Sequence, residues 1–485
     1  MTTLIVKNGN PITRLVSLSS VLKNLPPFWI AFALTLTETV GAGTLALPIA
    51  FATVGPLVGV TLLVFLGLIN LLTVYYLAEV CTRSDSVRSG NGFVGKLVED
   101  YLGAYASYIL RLSLFALCCT FLVAYYTGFA SVLSAATGVP APVWVTVVFA
   151  FSLMLTFRKT LTGTLAAALV TGAVNITILL IISVIAMSHA TVENVLHAEI
   201  PGIGDRPFDT SHIKLVFGVV LVSYFGHLSV SNCAKTVLER DPSGRSLKRG
   251  TVAAMLVAIL IYCVWTISVV GAVGSVGLTG LNGTALVPLA EKVGPSIYLF
   301  GVVFAVLGLG MSSVHFGLGI VNLAKEIFCS SDSDTNTIQS KDRFSKLAAI
   351  IPMFCVYLYV QWTYASGISS FTAPLELVGV LFVPVLAGVF PVLLLIACQG
   401  KLVEKYALNM PVVFTSSWVL GLVLALFIAS LVLHGLVLWV GPLAQVSAIL
   451  VAVVMLVLVV DTLRQNTRGL PQVYNLSMML KGGGN

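Results

Sequence analysis

Charge is what this chain most lacks. Only 9% of its 485 residues are Asp, Glu, Lys or Arg, against roughly 25% in an ordinary soluble domain, while 58% are hydrophobic. A water-soluble fold has no room to hide that much apolar side chain, which leaves lipid as the solvent. Cysteine is sparse too: Cys81, Cys118, Cys119, Cys233, Cys263, Cys329, Cys355 and Cys398 fall in apolar stretches or beside Lys- and Arg-rich segments, so a structural disulfide is not expected. The chain has no His-Glu-x-x-His, no paired-acid cluster and no Gly-x-x-x-x-Gly-Lys-Ser/Thr phosphate loop. Those absences set aside a membrane-embedded enzyme and a self-contained ATP-driven pump. Residues 1–27 hold no acid and no long apolar core, so a cleaved signal peptide is not expected. Lys7, Arg14, Lys23 and the Ser17–Ser20 stretch are compatible with a short organelle-targeting segment.

Long apolar runs, by contrast, recur along the whole chain. About 20 helical residues cross a 30 Å hydrocarbon core. Spans are expected at 28–52, 55–80, 107–136, 141–157, 164–188, 213–234, 251–275, 296–324, 346–363, 373–398, 412–433 and 440–461, the fourth and ninth being short. The fold class is therefore an all-α polytopic membrane protein of about twelve transmembrane helices. With both termini cytoplasmic, 23 of the 26 Lys and Arg residues fall inside, leaving Arg206, Lys214 and Lys292 outside. The net charge of +7 is then orientation bias along the inner face, and no nucleic-acid partner is implied. Segment 189–210 is acidic, through Glu193, Glu199, Asp205 and Asp209, and is placed outside. Asn282-Gly283-Thr284 is a glycosylation sequon best taken as a chance match. Segment 329–343 reads as a flexible cytoplasmic loop.

Two spans carry polar, glycine-containing interruptions at mid-depth. The first holds Thr37-Glu38-Thr39-Val40-Gly41-Ala42-Gly43-Thr44, closed by Pro48, and the sixth holds the stretch from Ser223 to Asn232. Any one of these glycines is explained by close helix packing. The pair is different, because the two spans lie five apart and run in opposite directions. Transporters built from two inverted five-helix repeats bind substrate at such matched breaks, where freed amides suit a carboxylate and freed carbonyls an ammonium or cation. The expected domains are a cytoplasmic segment 1–27, a transport core 28–400 with repeats at about 28–188 and 213–398, two additional helices at 401–461 and a cytoplasmic tail 462–485.

Gly41-Ala42-Gly43-Thr44-Leu45-Ala46-Leu47-Pro48 resembles the first-helix signature of permeases in the amino acid–polyamine–cation superfamily. Ala124-Tyr125-Tyr126-Thr127-Gly128 and Ser223-Tyr224-Phe225-Gly226-His227 are similar to third- and sixth-helix segments of the tyrosine/tryptophan permeases, with the amino-acid/auxin permeases close by. The resemblance covers roughly 28–400 and implies a leucine-transporter-like five-plus-five inverted repeat with broken helices one and six. The chain departs from the aromatic permeases in its twelfth span and in Glu38. In sodium-coupled members of this fold, adjacent hydroxyls in the eighth span join carbonyls of the broken first helix to bind Na⁺. That pattern would use Val40, Ser312 and Ser313 here, although serines also pack well between helices. Some sodium-independent members place a lysine in the fifth span; residues 164–188 contain none.

An acid inside a span is costly and hence a functional candidate. Glu38 lies one turn before Gly41, where it could receive a substrate ammonium or a coupling proton, or could be a neutral group bonded to a neighbouring helix. His227 could bind substrate, shuttle a proton, or be a satisfied core histidine; His315 reads as packing. Tyr125 or Tyr126 could present a phenol to a substrate carboxylate. Glu79 and Glu376 suit gates or interfacial pairs. The candidate substrate site is thus Glu38, Gly41, Ala42, Gly43, Thr44, Tyr125, Tyr126, Tyr224, Gly226, His227 and Ser229, with Val40, Ser312 and Ser313 as a candidate Na⁺ site. The expected function is a symporter of a neutral or aromatic amino acid driven by Na⁺ or H⁺, with no other cofactor, in a plasma membrane or bacterial inner membrane. Spans one, two, six and seven would rock against the rest. The alternatives are a carrier of another amine-bearing solute and, in a different class, an ion channel, for which neither a charged ring nor a carbonyl filter is seen.

Overall fold

The computed structural model describes residues 25–89, 94–158, 161–198, 210–328, 335–400 and 410–469, and within them every regular element is a helix. Nine of these helices are long and apolar enough to cross a membrane, and a tenth crossing is the bent pair Pro27–Thr39 and Gly43–Phe51, which turn by 52° at their junction. Two shorter apolar helices, Ala141–Thr156 and Ile350–Ala365, take the places of the short fourth and ninth spans. The chain therefore follows the expected twelve-span order.

Proline and glycine punctuate it. Pro27 and Pro56 open the first and second spans, where the missing N–H has no helical partner to lose. The third span, within Val94–Thr137, is kinked at Gly103, which has φ 88°. The sixth consists of Thr210–Ser223 and His227–Leu238, and the seventh is Arg245–Val273. A π-helical turn, Ala305–Gly310, interrupts the eighth between Ser296–Phe304 and Met311–Phe328. Residues 335–343 belong to the helix Thr335–Ala365, which corrects the loop expected there; the polar residues continue the ninth span as a helix beyond its apolar part. Residues 329–334 lie outside the described residues.

Burial separates centre from periphery. The most apolar window of the tenth span, Thr372–Gln399, is 89% buried in protein, whereas that of the twelfth, Pro442–Asn466, is only 22% buried. The tenth span approaches the sixth at two facing glycines, and a Cβ on Gly379 would land on the Gly218 carbonyl oxygen. Such overpacking costs about 1–3 kcal/mol. Gly379→Ala is therefore expected to lower the thermal unfolding midpoint of the purified protein, while Gly421→Ala, whose Cβ would meet nothing within 4 Å, is expected to leave it unchanged or raise it slightly. Equal midpoints for the two variants would rule out this contact as a packing constraint.

At the end of the bundle that carries the connection between spans six and seven, two buried charges and a partly buried one meet. The Glu79 carboxylate lies 2.8 Å from Lys248 Nζ and 2.8 Å from Arg83 Nη2, with Glu79 and Lys248 both buried. Glu79 is thus an ion-pair hub joining the second and seventh spans. Glu376 near the other end accepts from Trp439 Nε1 at 2.7 Å, joining the tenth and eleventh spans.

Candidate functional site

The two breaks are shorter than their polar stretches. In the first span the helix stops at Thr39 and resumes at Gly43; in the sixth it stops at Ser223 and resumes at His227. Ser229 and Ser231 do not unwind the chain, because their hydroxyls donate to the carbonyls of Gly226 (2.6 Å) and Leu228 (3.2 Å), one turn back. Thr44 likewise falls in the resumed helix.

The breaks face each other across a glycine contact. A Cβ on Gly43 would meet Ser223 Oγ at 2.6 Å, and one on Gly226 would collide with Thr39 Oγ1. Only glycine permits so close an approach. Ser229 Oγ adds a 3.1 Å bond to Thr35 Oγ1, and the Ser229 amide donates to the Glu38 carboxylate. The acid of the first span thus sits in the first turn of the resumed sixth span, where the helix dipole favours negative charge.

Beside the breaks is a cavity of about 330 Å³, at the small end of the range of roughly 300–1,000 Å³ for ligand pockets. Glu38, Val40, Gly41, Ala42, Gly43, Tyr125 and Ser312 line it. Glu38 sits deep in the bundle, yet its side chain is open to the cavity. The Tyr125 hydroxyl is within hydrogen-bonding reach of Ser312, joining the third and eighth spans. The cavity continues past Val94, Gly95, Arg111, Asn232 and Asn322 toward the end bearing the Glu79 cluster. The opposite end is closed: Trp265 Nε1 donates to the Thr44 carbonyl at 2.7 Å, Ala285 N to Leu45 O at 3.2 Å and Phe371 N to Asn282 O at 2.8 Å.

Other candidates turn out to pack around the cavity without lining it. His227 Nε2 shares a 2.9 Å hydrogen bond with Thr73 Oγ1 of the second span, and the ring is buried. Tyr224 donates to Leu63 O at 3.0 Å, and Tyr126 pairs with Ser152 Oγ at 2.9 Å. Ser313 donates to Gly310 O at 2.6 Å, within its own helix. Thr44, Gly226 and Ser229 lie in the packed junction just described.

The structure also adds residues that sequence reasoning passed over. Phe121 and Phe316 join the expected Tyr125 in a wall of mutually packed rings, with centroids 4.6–5.6 Å apart. His315, expected as packing, lines the cavity. Arg111, expected in a cytoplasmic segment, also lines it from within the third helix. Asn175 lines it too, buried and with an Oδ1 that has no hydrogen-bond partner. Its signal was available, since it is the only amide side chain in 164–188. Among the described residues, no three His, Cys, Asp or Glu side chains gather as a metal site.

The chain matches the family described as transmembrane amino acid transporter protein over residues 27–434. Comparison with curated proteins returned no match. Among solved structures it is similar to the manganese transporter of Eremococcus coleocola in complex with an aromatic bis-isothiourea substituted compound, with a TM-score of 0.59, 15% identity and coverage of 96% of this chain and 98% of that one. It is also similar to a nucleobase-cation-symport-1 family transporter in a closed conformation with bromovinylhydantoin bound, with a TM-score of 0.52, 16% identity and coverage of 92% and 94%. A third is a Na⁺-coupled sialic acid symporter in a substrate-bound outward-open state, with a TM-score of 0.50, 11% identity and coverage of 91% and 97%. At such identities the likeness is one of fold: an all-α, five-plus-five inverted repeat whose first and sixth helices are broken.

Proposed function

We propose, from the premise that this chain belongs to the transmembrane amino acid transporter family, that it is a symporter driving a neutral or aromatic amino acid with a proton bound at Glu38. The observation that carries the coupling is the position of Glu38. Among the described residues it is the one acid lining the cavity, it is open to that cavity, and it bridges the two broken helices through the Ser229 amide. A carboxylate so placed gains or loses a charge at the junction that must move during alternating access. The ring wall of Phe121, Tyr125 and Phe316 supports an uncharged, planar or aliphatic substrate side chain.

Spans one to ten form the transport core in this reading, and the last two are peripheral to it. With the basic end of the bundle in the cytoplasm, the cavity faces inward. A second reading, coupling to Na⁺, is favoured by Val40 and Ser312 lining the same cavity with oxygen ligands available.

Proteoliposomes test both. Uptake of labelled amino acids is expected to follow an imposed pH gradient in choline medium, and to be blocked by a proton ionophore. Uptake that follows a Na⁺ gradient and ignores pH would replace the first reading with the second. Uptake indifferent to both would overturn coupled transport. A competition panel of the twenty amino acids is expected to show the strongest inhibition by neutral and aromatic members.

A further inference from the structure

The junction of the two breaks contains a second feature, beside the cavity. Thr39 and Ser223 are the last residues of their half-helices, so their carbonyls stand at two helix C-termini. Each such end carries about half a negative elementary charge. Two of them meeting inside the protein call for a positive group or a donor between them.

The group found there is the hydroxyl of Tyr262, from the seventh span. Its oxygen lies 2.7 Å from Thr39 O and 2.7 Å from Ser223 O, and the side chain is fully buried. A phenol has one proton and donates to one carbonyl at a time, so the pair shares a single donor. The buried Thr44 side chain lies within hydrogen-bonding reach of the same hydroxyl. Two carbonyls and a threonine hydroxyl, converging on one phenol oxygen from the first and sixth spans, make a set of hard oxygen ligands of the kind that holds a small cation.

We propose that the Tyr262 hydroxyl is a built-in occupant of a cation-type site formed by Thr39 O, Ser223 O and Thr44 Oγ1, clamping the two breaks together without an ion. Removing the hydroxyl leaves a polar hole of about one oxygen between two helix ends of like sign. A small monovalent cation then takes the vacated place and restores the clamp. This does not depend on which substrate or coupling ion the protein uses, because the ligands include neither Glu38 nor Ser312.

Thermal unfolding of purified Tyr262→Phe in detergent, in choline, K⁺, Na⁺ or Li⁺ at equal ionic strength, tests the assignment. The variant is expected to unfold at a lower temperature than wild type in choline, and to recover in Na⁺ or Li⁺ by more than any cation effect on wild type. The double variant Tyr262→Phe/Thr44→Val is expected to lose that recovery. In proteoliposomes, uptake by Tyr262→Phe relative to wild type in the same medium is expected to be about tenfold down in choline, as for a lost hydrogen bond at a buried acceptor pair, and to approach wild type in Na⁺. A cation response of Tyr262→Phe no larger than that of wild type would overturn the proposal, as would a response that survives Thr44→Val. Should the single variant aggregate in choline, size-exclusion profiles decide. A monodisperse peak in Na⁺ alone supports the site, and aggregation in both media refutes it.

Discussion

Glu38→Gln is expected to abolish accumulation of substrate against its gradient while leaving the fold intact. The amide keeps an oxygen to accept from the Ser229 N–H, so the junction between the first and sixth spans loses no hydrogen bond. What it loses is the capacity to carry a proton. With one proton per substrate, a pH gradient of about one unit supports roughly tenfold accumulation, since a tenfold ratio is about 1.4 kcal/mol. For the variant the accumulation ratio should fall to about one, the value without coupling. Exchange of labelled for unlabelled substrate, which needs no net proton movement, is expected to persist. Gradient-driven uptake at the wild-type level would return Glu38 to a structural role, that of a capping group on the resumed sixth helix.

The second large effect concerns stability. Glu79→Ala strips the buried Lys248 ammonium of its 2.8 Å partner and leaves Arg83 facing the same hole. Breaking one side of a buried pair costs about 3–5 kcal/mol, because the abandoned charge stays out of water. The expected result is a sharp fall in the yield of folded protein and in its unfolding temperature. Replacing both partners, as in Glu79→Leu/Lys248→Met, is expected to recover most of that loss, since the desolvated charge disappears with its mate. A double variant as unstable as the single one would mean that the site needs charge for reasons other than burial.

Both predictions rest on residues that stand out in the sequence, for a common reason. An acid inside an apolar run has nowhere cheap to go, so Glu38 and Glu79 advertise themselves by type and position alone. Their roles were less legible. Glu79 was open between gate and interfacial pair, and only the packing of the seventh span against the second brought Lys248 to it, 169 positions away in the chain. The breaks were legible as regions but not in extent. Glycines and hydroxyls marked both, yet Ser229, Ser231 and Thr44 lie in regular helix, since a serine or threonine can bond a carbonyl one turn back as easily as it can disrupt a helix. Tyr262 gave no signal at all, being one of two aromatic residues in an apolar helix.

The sequence by itself determined the solvent, the number and order of the spans and the place of the two breaks. Those follow from transfer to lipid and from backbone hydrogen bonding, which act locally and accumulate along the chain. Only the tertiary structure decided which polar groups face the cavity. Adjacent helical residues point about 100° apart, so neighbours of the same type can have different surroundings. Tyr125 lines the cavity while Tyr126 bonds Ser152 in the fourth span; Ser312 lines it while Ser313 bonds its own helix. The rotation of each helix about its axis makes that choice, and it is set by what the helix packs against, as where glycines at 43 and 226 let two broken helices meet.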